Sequence, residues 1–128
     1  MLLAVCQHFE IETDEKIIPR IAFGFGGGFG NTGAVCGAVV GAVMGLGLQM
    51  DRGENMEDML GGLAMVGEFR RRFEAEMGSI SCRELTGADL TTEEGIGQYM
   101  ASDTPQKVCF PAVATAYRLA VEMLEESA

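Results

Sequence analysis

The chain has 128 residues, enough for one hydrophobic core but too few for two domains that fold independently. Its formal net charge of −10 would repel a phosphate backbone or an anionic lipid surface, so neither nucleic acid nor membrane is an expected partner. Tryptophan is absent and only 7% of residues are aromatic, whereas glycine (18) and methionine (9) are abundant. This composition lacks the β-branched alternation of strands, and it predicts a single all-α domain over 1–128.

The first predicted helix places Leu2, Cys6 and Phe9 on one face. Pro19 then suits the first turn of a short helix that ends near Phe23. No charged segment precedes the apolar start, so a secretory signal is not supported and a cytoplasmic location is expected. In a reducing cytosol, separated cysteines are more often buried residues, metal ligands or redox-active thiols than permanent disulfides.

A glycine-rich loop follows at 23–30. The backbone N–H groups of Gly26, Gly27 and Gly28 could surround an anion or an anionic cluster. Residues 21–50 carry no formal charge, but their glycine content argues against a membrane-spanning helix.

The same loop matches the dinucleotide pattern G-x-G-x-x-G between Gly28 and Gly33, with Asp51 further on. The context of a dinucleotide site is missing, because Pro19 interrupts the segment where a strand should precede the loop. We therefore expect no nucleotide.

The central helix is expected to be capped at Asn31 or Thr32 and to run to about Leu48. Glycine recurs every fourth residue along it, at Gly33, Gly37, Gly41 and Gly45. Each glycine costs about 1 kcal/mol relative to alanine in a helix interior, so this glycine stripe indicates the close approach of another backbone or a flat cofactor. Close helix packing is the simpler interpretation, and it places this helix at the centre of the domain.

After a polar turn at 50–54, a longer helix is predicted from Asn55 to about Glu76. Its apolar surface comes from Met56, Met59, Leu60, Leu63, Met65 and Phe73. Ser81 and Glu84 then form the pattern of a capping box, which places Cys82 on the first position of the next helix.

Two more helix starts complete the chain. Thr91 with Glu94 repeats the capping pattern, and Pro111 opens a last helix that leaves Cys109 just outside its N-terminus. The result is about five or six helices around the glycine-rich one, with no convincing strand.

Three of the four cysteines lie close to predicted helix starts: Cys36, Cys82 and Cys109. The unpaired N–H groups and the positive dipole end of a helix favour the anionic sulfur, which attacks disulfides and binds metal. Three helix starts could therefore direct sulfurs to one place. The alternative for each cysteine is a small buried hydrophobe, and Cys6, in the middle of a helix, is better explained in that way.

The chain resembles the C_GCAxxG_C_C family of redox-active proteins over nearly its whole length. The motif is Cys36-Gly-Ala-Val-Val-Gly41, preceded by the loop at 24–28 and followed by 78–85 and the late Cys109. The resemblance implies a helical, cytoplasmic protein of anaerobe-type redox metabolism whose cysteines exchange electrons or hold a metal cluster.

The resemblance assigns Cys36, Cys82 and Cys109 as the redox or metal-binding cysteines. The family's first cysteine lies upstream of a Leu-Leu-Ala-Val stretch, which here directly follows Met1, so we expect the chain to start late and a four-cysteine site to need Cys6 as a substitute. An iron–sulfur cluster or another thiolate-bound metal is the implied cofactor. The glycines predicted to lie against it are Gly26, Gly27, Gly28, Gly37 and Gly41.

The leading hypothesis is a redox-active protein that acts on a redox partner protein through a thiol site, either a metal or iron–sulfur centre or a reversible disulfide. The alternative is a helical interaction module that associates with a second copy through the glycine stripe, with the cysteines as core residues. An enzyme with its own organic substrate ranks last, because no base or nucleophile pair accompanies the cysteines.

Overall fold

The computed structural model describes residues 1–50 and 53–127, so part of the polar turn predicted at 50–54 lies outside the described residues. The described chain is helical and has no strand, which confirms the all-α prediction. The helices are α1 (Leu2–His8), α2 (Ile17–Ala22), α3 (Gly26–Phe29), α4 (Gly37–Gln49), α5 (Met56–Met77), α6 (Cys82–Thr86), α7 (Glu93–Ala101) and α8 (Phe110–Glu126). A 3₁₀ turn (Phe23–Phe25) precedes α3, and a π-helical turn (Pro105–Cys109) precedes α8.

Helix α4 lies at the centre and contacts α1, α5 and α8. The glycine stripe allows α1 to approach closely, because a Cβ at Gly41 would lie 2.9 Å from Met1 Cβ and a Cβ at Gly45 would lie 2.8 Å from Val5 Cγ1. Close helix packing within the chain therefore explains these two glycines. The largest fully buried side chains of the core are Phe69, Phe73, Leu46, Val5 and Cys6.

The start of α4 corrects the sequence-based prediction. The helix begins at Gly37 with Cys36 as its N-cap residue, not at Asn31 or Thr32, so Gly33 is outside the helical stripe. Asn31 and Gly33 have left-handed φ values of 64° and 74°, which a helix cannot accommodate. Residues 34–36, which follow them, form backbone hydrogen bonds with residues 80–82 instead of the hydrogen bonds of a helix.

Helix α5 begins and ends close to its predicted bounds. The Asn55 side chain accepts a hydrogen bond from the Asp58 N–H, and Gly78 ends the helix with a φ of 92°. The apolar surface predicted for this helix is buried only in part. Phe69 and Phe73 are buried, whereas four predicted apolar residues are exposed: Met56, Met59, Leu60 and Leu63.

The remaining helix starts agree with the prediction in part. Ser81 caps α6 by accepting from the Glu84 N–H. Helix α7 is capped by Thr92, one residue later than predicted, because the Thr91 hydroxyl is engaged by the Asp89 carboxylate. At α8, the expected free N-terminus does not exist, since the π-helical turn runs directly into the helix.

A smaller cluster of buried side chains joins α1 to α2 through Leu2, Cys6 and Ile18. Within residues 1–50 and 53–127, no helix combines the length and the apolar character that crossing a membrane requires.

Candidate functional site

A cavity of about 460 Å³ lies between α1, α4, α6, α7 and the turn before α8. Cys36, Cys82 and Cys109 all line it, so the fold brings the three sequence-predicted cysteines to one place. Its other lining side chains are mostly apolar, among them Phe23, Phe25, Met44, Leu90 and Val113. None of the lining residues in the described part of the chain is an Asp, Glu, Lys, Arg or His, so the thiols have no ionised side chain beside them inside the cavity.

A short backbone pairing positions two of the cysteines. Val35 and Ser81 form an isolated antiparallel bridge. On either side of it, the Cys36 N–H donates to Ile80 O at 2.7 Å and the Cys82 N–H donates to the carbonyl oxygen of Ala34, also at 2.7 Å. The pairing ends where α4 and α6 begin, so both cysteines stand at the start of a helix and face the same cavity.

Cys109 reaches the cavity from the end of the π-helical turn, which packs against α6. Its sulfur lies 3.1 Å from the phenol oxygen of Tyr99, which belongs to α7. Burial and the contact with Cys109 raise the pKa of Tyr99 to about 12. The phenol therefore keeps its proton at neutral pH and can donate a hydrogen bond to an anionic sulfur.

The environment of Cys82 opposes ionisation. Burial raises the pKa of its thiol, and negative charge on Cys36 or on Cys109 raises it further. Desolvation therefore acts against the thiolate that we expected at the start of α6, which is a helix of only five residues. The Cys82 thiol is therefore close enough to both of the other cavity cysteines for their charge to affect its pKa.

The predicted cofactor-binding glycines fall into two groups. Gly26, Gly27, Gly37 and Gly41 line the cavity, whereas Gly28 does not. Gly28 instead lies behind Cys82, since a Cβ there would be 2.8 Å from Cys82 Cβ. A cofactor at these glycines stays a prediction.

Cys6 is separate from the other three cysteines. It is 1% exposed, packs with Leu2 and Ile18, and does not line the cavity. Cys6 therefore does not substitute as the fourth ligand of a common site. Over the ranges that the structure describes, no group of three or more His, Cys, Asp or Glu side chains is arranged to hold a metal ion. Three cysteines line the cavity, one fewer than the Cys₄ set that commonly binds an iron–sulfur cluster.

Sequence reasoning missed Tyr99. It is one of two tyrosines and lies ten residues before Cys109, but no spacing rule connects a tyrosine on one helix with a cysteine before the next. Only the packing of α7 against the turn that carries Cys109 reveals the contact.

No curated protein and no solved structure matches the chain. The family model described as "Putative redox-active protein (C_GCAxxG_C_C)" matches residues 1–123. This match confirms the resemblance seen in the cysteine and glycine motifs, and the chain belongs to the C_GCAxxG_C_C family.

Proposed function

We propose that this protein is a thiol–disulfide redox protein in which Cys82 is the sulfur shared by the reacting pairs. The observation that supports this proposal is the convergence of Cys36, Cys82 and Cys109 on one cavity. Helix α6, which begins at Cys82, is joined to the segment of Cys36 by the Val35–Ser81 bridge and packs against the turn that carries Cys109. A disulfide uses two of the three thiols that line the cavity, whereas the common iron–sulfur sites use four cysteines. We place this activity in the cytoplasm, where a thiol pool would reduce the pair again.

The proposed reaction is exchange with a disulfide on a redox partner protein. The Cys109 thiolate, which Tyr99 can stabilise by hydrogen bonding, attacks one partner sulfur and releases the other as a thiolate. Cys82 then attacks the mixed disulfide and releases the second partner thiol. Two protein thiols are oxidised to one disulfide, and the partner disulfide takes up their two electrons and two protons.

The two cysteines have different roles in this proposal. Because burial raises the pKa of Cys82, its thiolate is scarce at neutral pH and it suits the second, intramolecular step. Cys36 lines the same cavity, and it can exchange with a disulfide that contains Cys82.

The test starts with protein purified without oxygen. Metal analysis and an optical spectrum should show a colourless, metal-free protein. The sample is then equilibrated across a series of thiol–disulfide buffers, trapped with N-ethylmaleimide and mapped by mass spectrometry. We expect one two-electron transition and a disulfide that contains Cys82.

Variants separate the competing functions. Cys82→Ala should abolish the transition, and Cys6→Ala is the matched control that should retain it. Stoichiometric iron with visible charge-transfer bands would overturn the disulfide proposal in favour of a cluster. Unchanged capture of the partner protein by Cys82→Ala would instead favour the interaction module.

A further inference from the structure

The cavity lined by the three cysteines, here called the cysteine cavity, is apolar at its solvent-facing edge as well as inside. Phe23 and Val113 both line it, yet they are 82% and 42% exposed. Phe23 belongs to the 3₁₀ turn before α3 and Val113 belongs to α8, so two separate elements present apolar side chains at this edge. The volume of about 460 Å³ is typical of sites that bind small organic groups.

The basic residues beside the cavity cysteines in the sequence are held outside the cavity. Arg83 lines a separate polar cavity, and its Nη1 lies 3.4 Å from Asp89 Oδ1. Lys107 is paired with Asp103 at 2.7 Å and does not line the cysteine cavity either. Among the described side chains that do line it, a carboxylate of a reactant would meet no cation and an ammonium group would meet no carboxylate. A charged reactant would therefore lose its hydration without compensation.

The polar side chains of the cavity suit an uncharged reactant that releases an anionic sulfur. Thr86 Oγ1 donates to the carbonyl oxygen of Cys82 at 2.8 Å, so the backbone engages that hydroxyl. The Tyr99 phenol lies 3.1 Å from the sulfur of Cys109. Once Cys109 has formed a mixed disulfide, its sulfur carries no charge and the phenol is free to donate to the departing sulfur. A neutral donor of this kind stabilises the leaving thiolate without adding charge to the cavity.

We propose that the cysteine cavity selects an uncharged disulfide flanked by apolar groups. This inference rests on the function proposed above and specifies its substrate. The Cys109 thiolate attacks one substrate sulfur and forms the mixed disulfide, and the other sulfur leaves as a thiolate and takes up a proton. Cys82 then displaces the first sulfur as a thiol, so the substrate gains the two electrons and two protons that the protein loses. A small organic molecule and an apolar segment of a partner protein carry the same chemistry.

Two aromatic disulfides of different charge test the selection. Dithiodipyridine is uncharged at neutral pH, whereas dithiobis(nitrobenzoate) carries two carboxylates, and each releases a thiol that is followed by absorbance. The protein is the Cys6→Ala variant, whose remaining cysteines all line the cavity. Each rate is divided by the rate of the same reagent with the urea-unfolded chain, which removes differences in intrinsic reactivity and in the effect of net charge. This ratio should be at least about 10-fold higher for the uncharged reagent.

A cation placed at the cavity should weaken the selection. Val113→Lys introduces one, and Ala114→Lys is the matched control, because both residues are exposed on α8 but only Val113 lines the cavity. Val113→Lys should raise the ratio for the anionic reagent by at least about 5-fold, and Ala114→Lys should change it less than about twofold. Circular dichroism of every variant confirms that the helices remain folded. Equal effects of the two lysines would overturn the argument from charge.

Peptide disulfides distinguish the two sources of the substrate. The disulfide dimer of acetyl-Leu-Cys-Leu-amide should oxidise the protein at least about 10-fold faster than the dimer of acetyl-Asp-Cys-Asp-amide, after the same division by the unfolded-chain rate. Oxidation by the apolar peptide assigns the substrate to a partner protein. Reaction with dithiodipyridine but with neither peptide assigns it to a small organic molecule. An acidic peptide as fast as the apolar one would overturn the inference.

The remaining outcomes separate the substrate from the function. Equal ratios for the two aromatic reagents would overturn the selection, and a higher ratio for the anionic one would do so in favour of the α-amino group of Met1, which also lines the cavity. If Cys82 is still oxidised in the thiol–disulfide buffers, the proposed function stands without this substrate class. If no disulfide forms in those buffers, the function itself is overturned.

Discussion

Replacing Gly28 with alanine should destabilise the protein and disturb the cavity at Cys82. Gly28 has a φ of 72°, a left-handed conformation that costs a residue with a side chain about 1–2 kcal/mol. The added Cβ would lie 2.6 Å from Ala34 N and 2.8 Å from Cys82 Cβ, and overpacking of this kind costs about 1–3 kcal/mol. The sum is about 2–5 kcal/mol, which lowers the Tm of a chain this long by about 8–20 °C.

Gly30→Ala is the matched control. Gly30 also has a left-handed φ, 67°, but an added Cβ would have nothing within 4 Å. It should therefore show only the backbone cost of about 1–2 kcal/mol, or about 4–8 °C in Tm. Thermal unfolding followed by circular dichroism measures both variants, and mass spectrometry measures alkylation of Cys82, which should change only in Gly28→Ala. Equal losses of Tm in the two variants would refute the argument that Gly28 is required by contact with Cys82.

Three further predictions address the thiols and the packing of the central helix. Burial raises the pKa of Cys82 above its ordinary value of 9.0, so iodoacetamide should alkylate Cys82 slowly at about pH 8 and faster only above about pH 9. An alkylation rate equal to that of the urea-unfolded chain would contradict this prediction. The folded state holds the proton of the Cys82 thiol more tightly than the unfolded chain does. The contribution of this proton to stability is therefore complete below the ordinary pKa of 9.0 and is lost as the pH rises through the raised pKa of the folded state. Tyr99→Phe should slow alkylation of Cys109 at neutral pH by about 2–10-fold without changing the helix content. An unchanged alkylation rate would show that the Tyr99 phenol does not affect the reactivity of Cys109. Gly45→Ala should destabilise the fold by about 1–3 kcal/mol, because the added Cβ would meet α1. Gly47→Ala should stabilise the fold by about 0.5–1 kcal/mol, because an added Cβ there would have nothing within 4 Å. A lower Tm for both variants would argue against close packing of α1 as the cause.

Local signals explain where sequence reasoning succeeded. The Asn55 cap and the final Gly78 act within one turn of their helix, and the predicted 55–76 therefore differs little from the observed Met56–Met77. The same holds for Ser81, whose side chain accepts from a backbone N–H three residues later. These interactions depend only on neighbours along the chain, so the residue order is sufficient to predict them.

Where local signals competed, distant contacts decided the outcome. Asn31 and Thr32 are good caps, yet α4 starts at Gly37 because Ala34 and Cys36 bond to a segment more than forty residues away. The predicted stripe loses its first glycine for the same reason. Backbone pairing over such a distance leaves no periodic pattern in the sequence.

The residue order alone predicted the helical class, the family and the three cysteines that line one cavity. These features follow from composition, motif spacing and short-range capping, which the residue order carries directly. The packing of the helices separates Cys6 from the other cysteines, brings Tyr99 to Cys109 and partly desolvates the Cys82 thiol. Burial and the approach of distant side chains depend on how the helices pack, and that packing is a property of the whole fold.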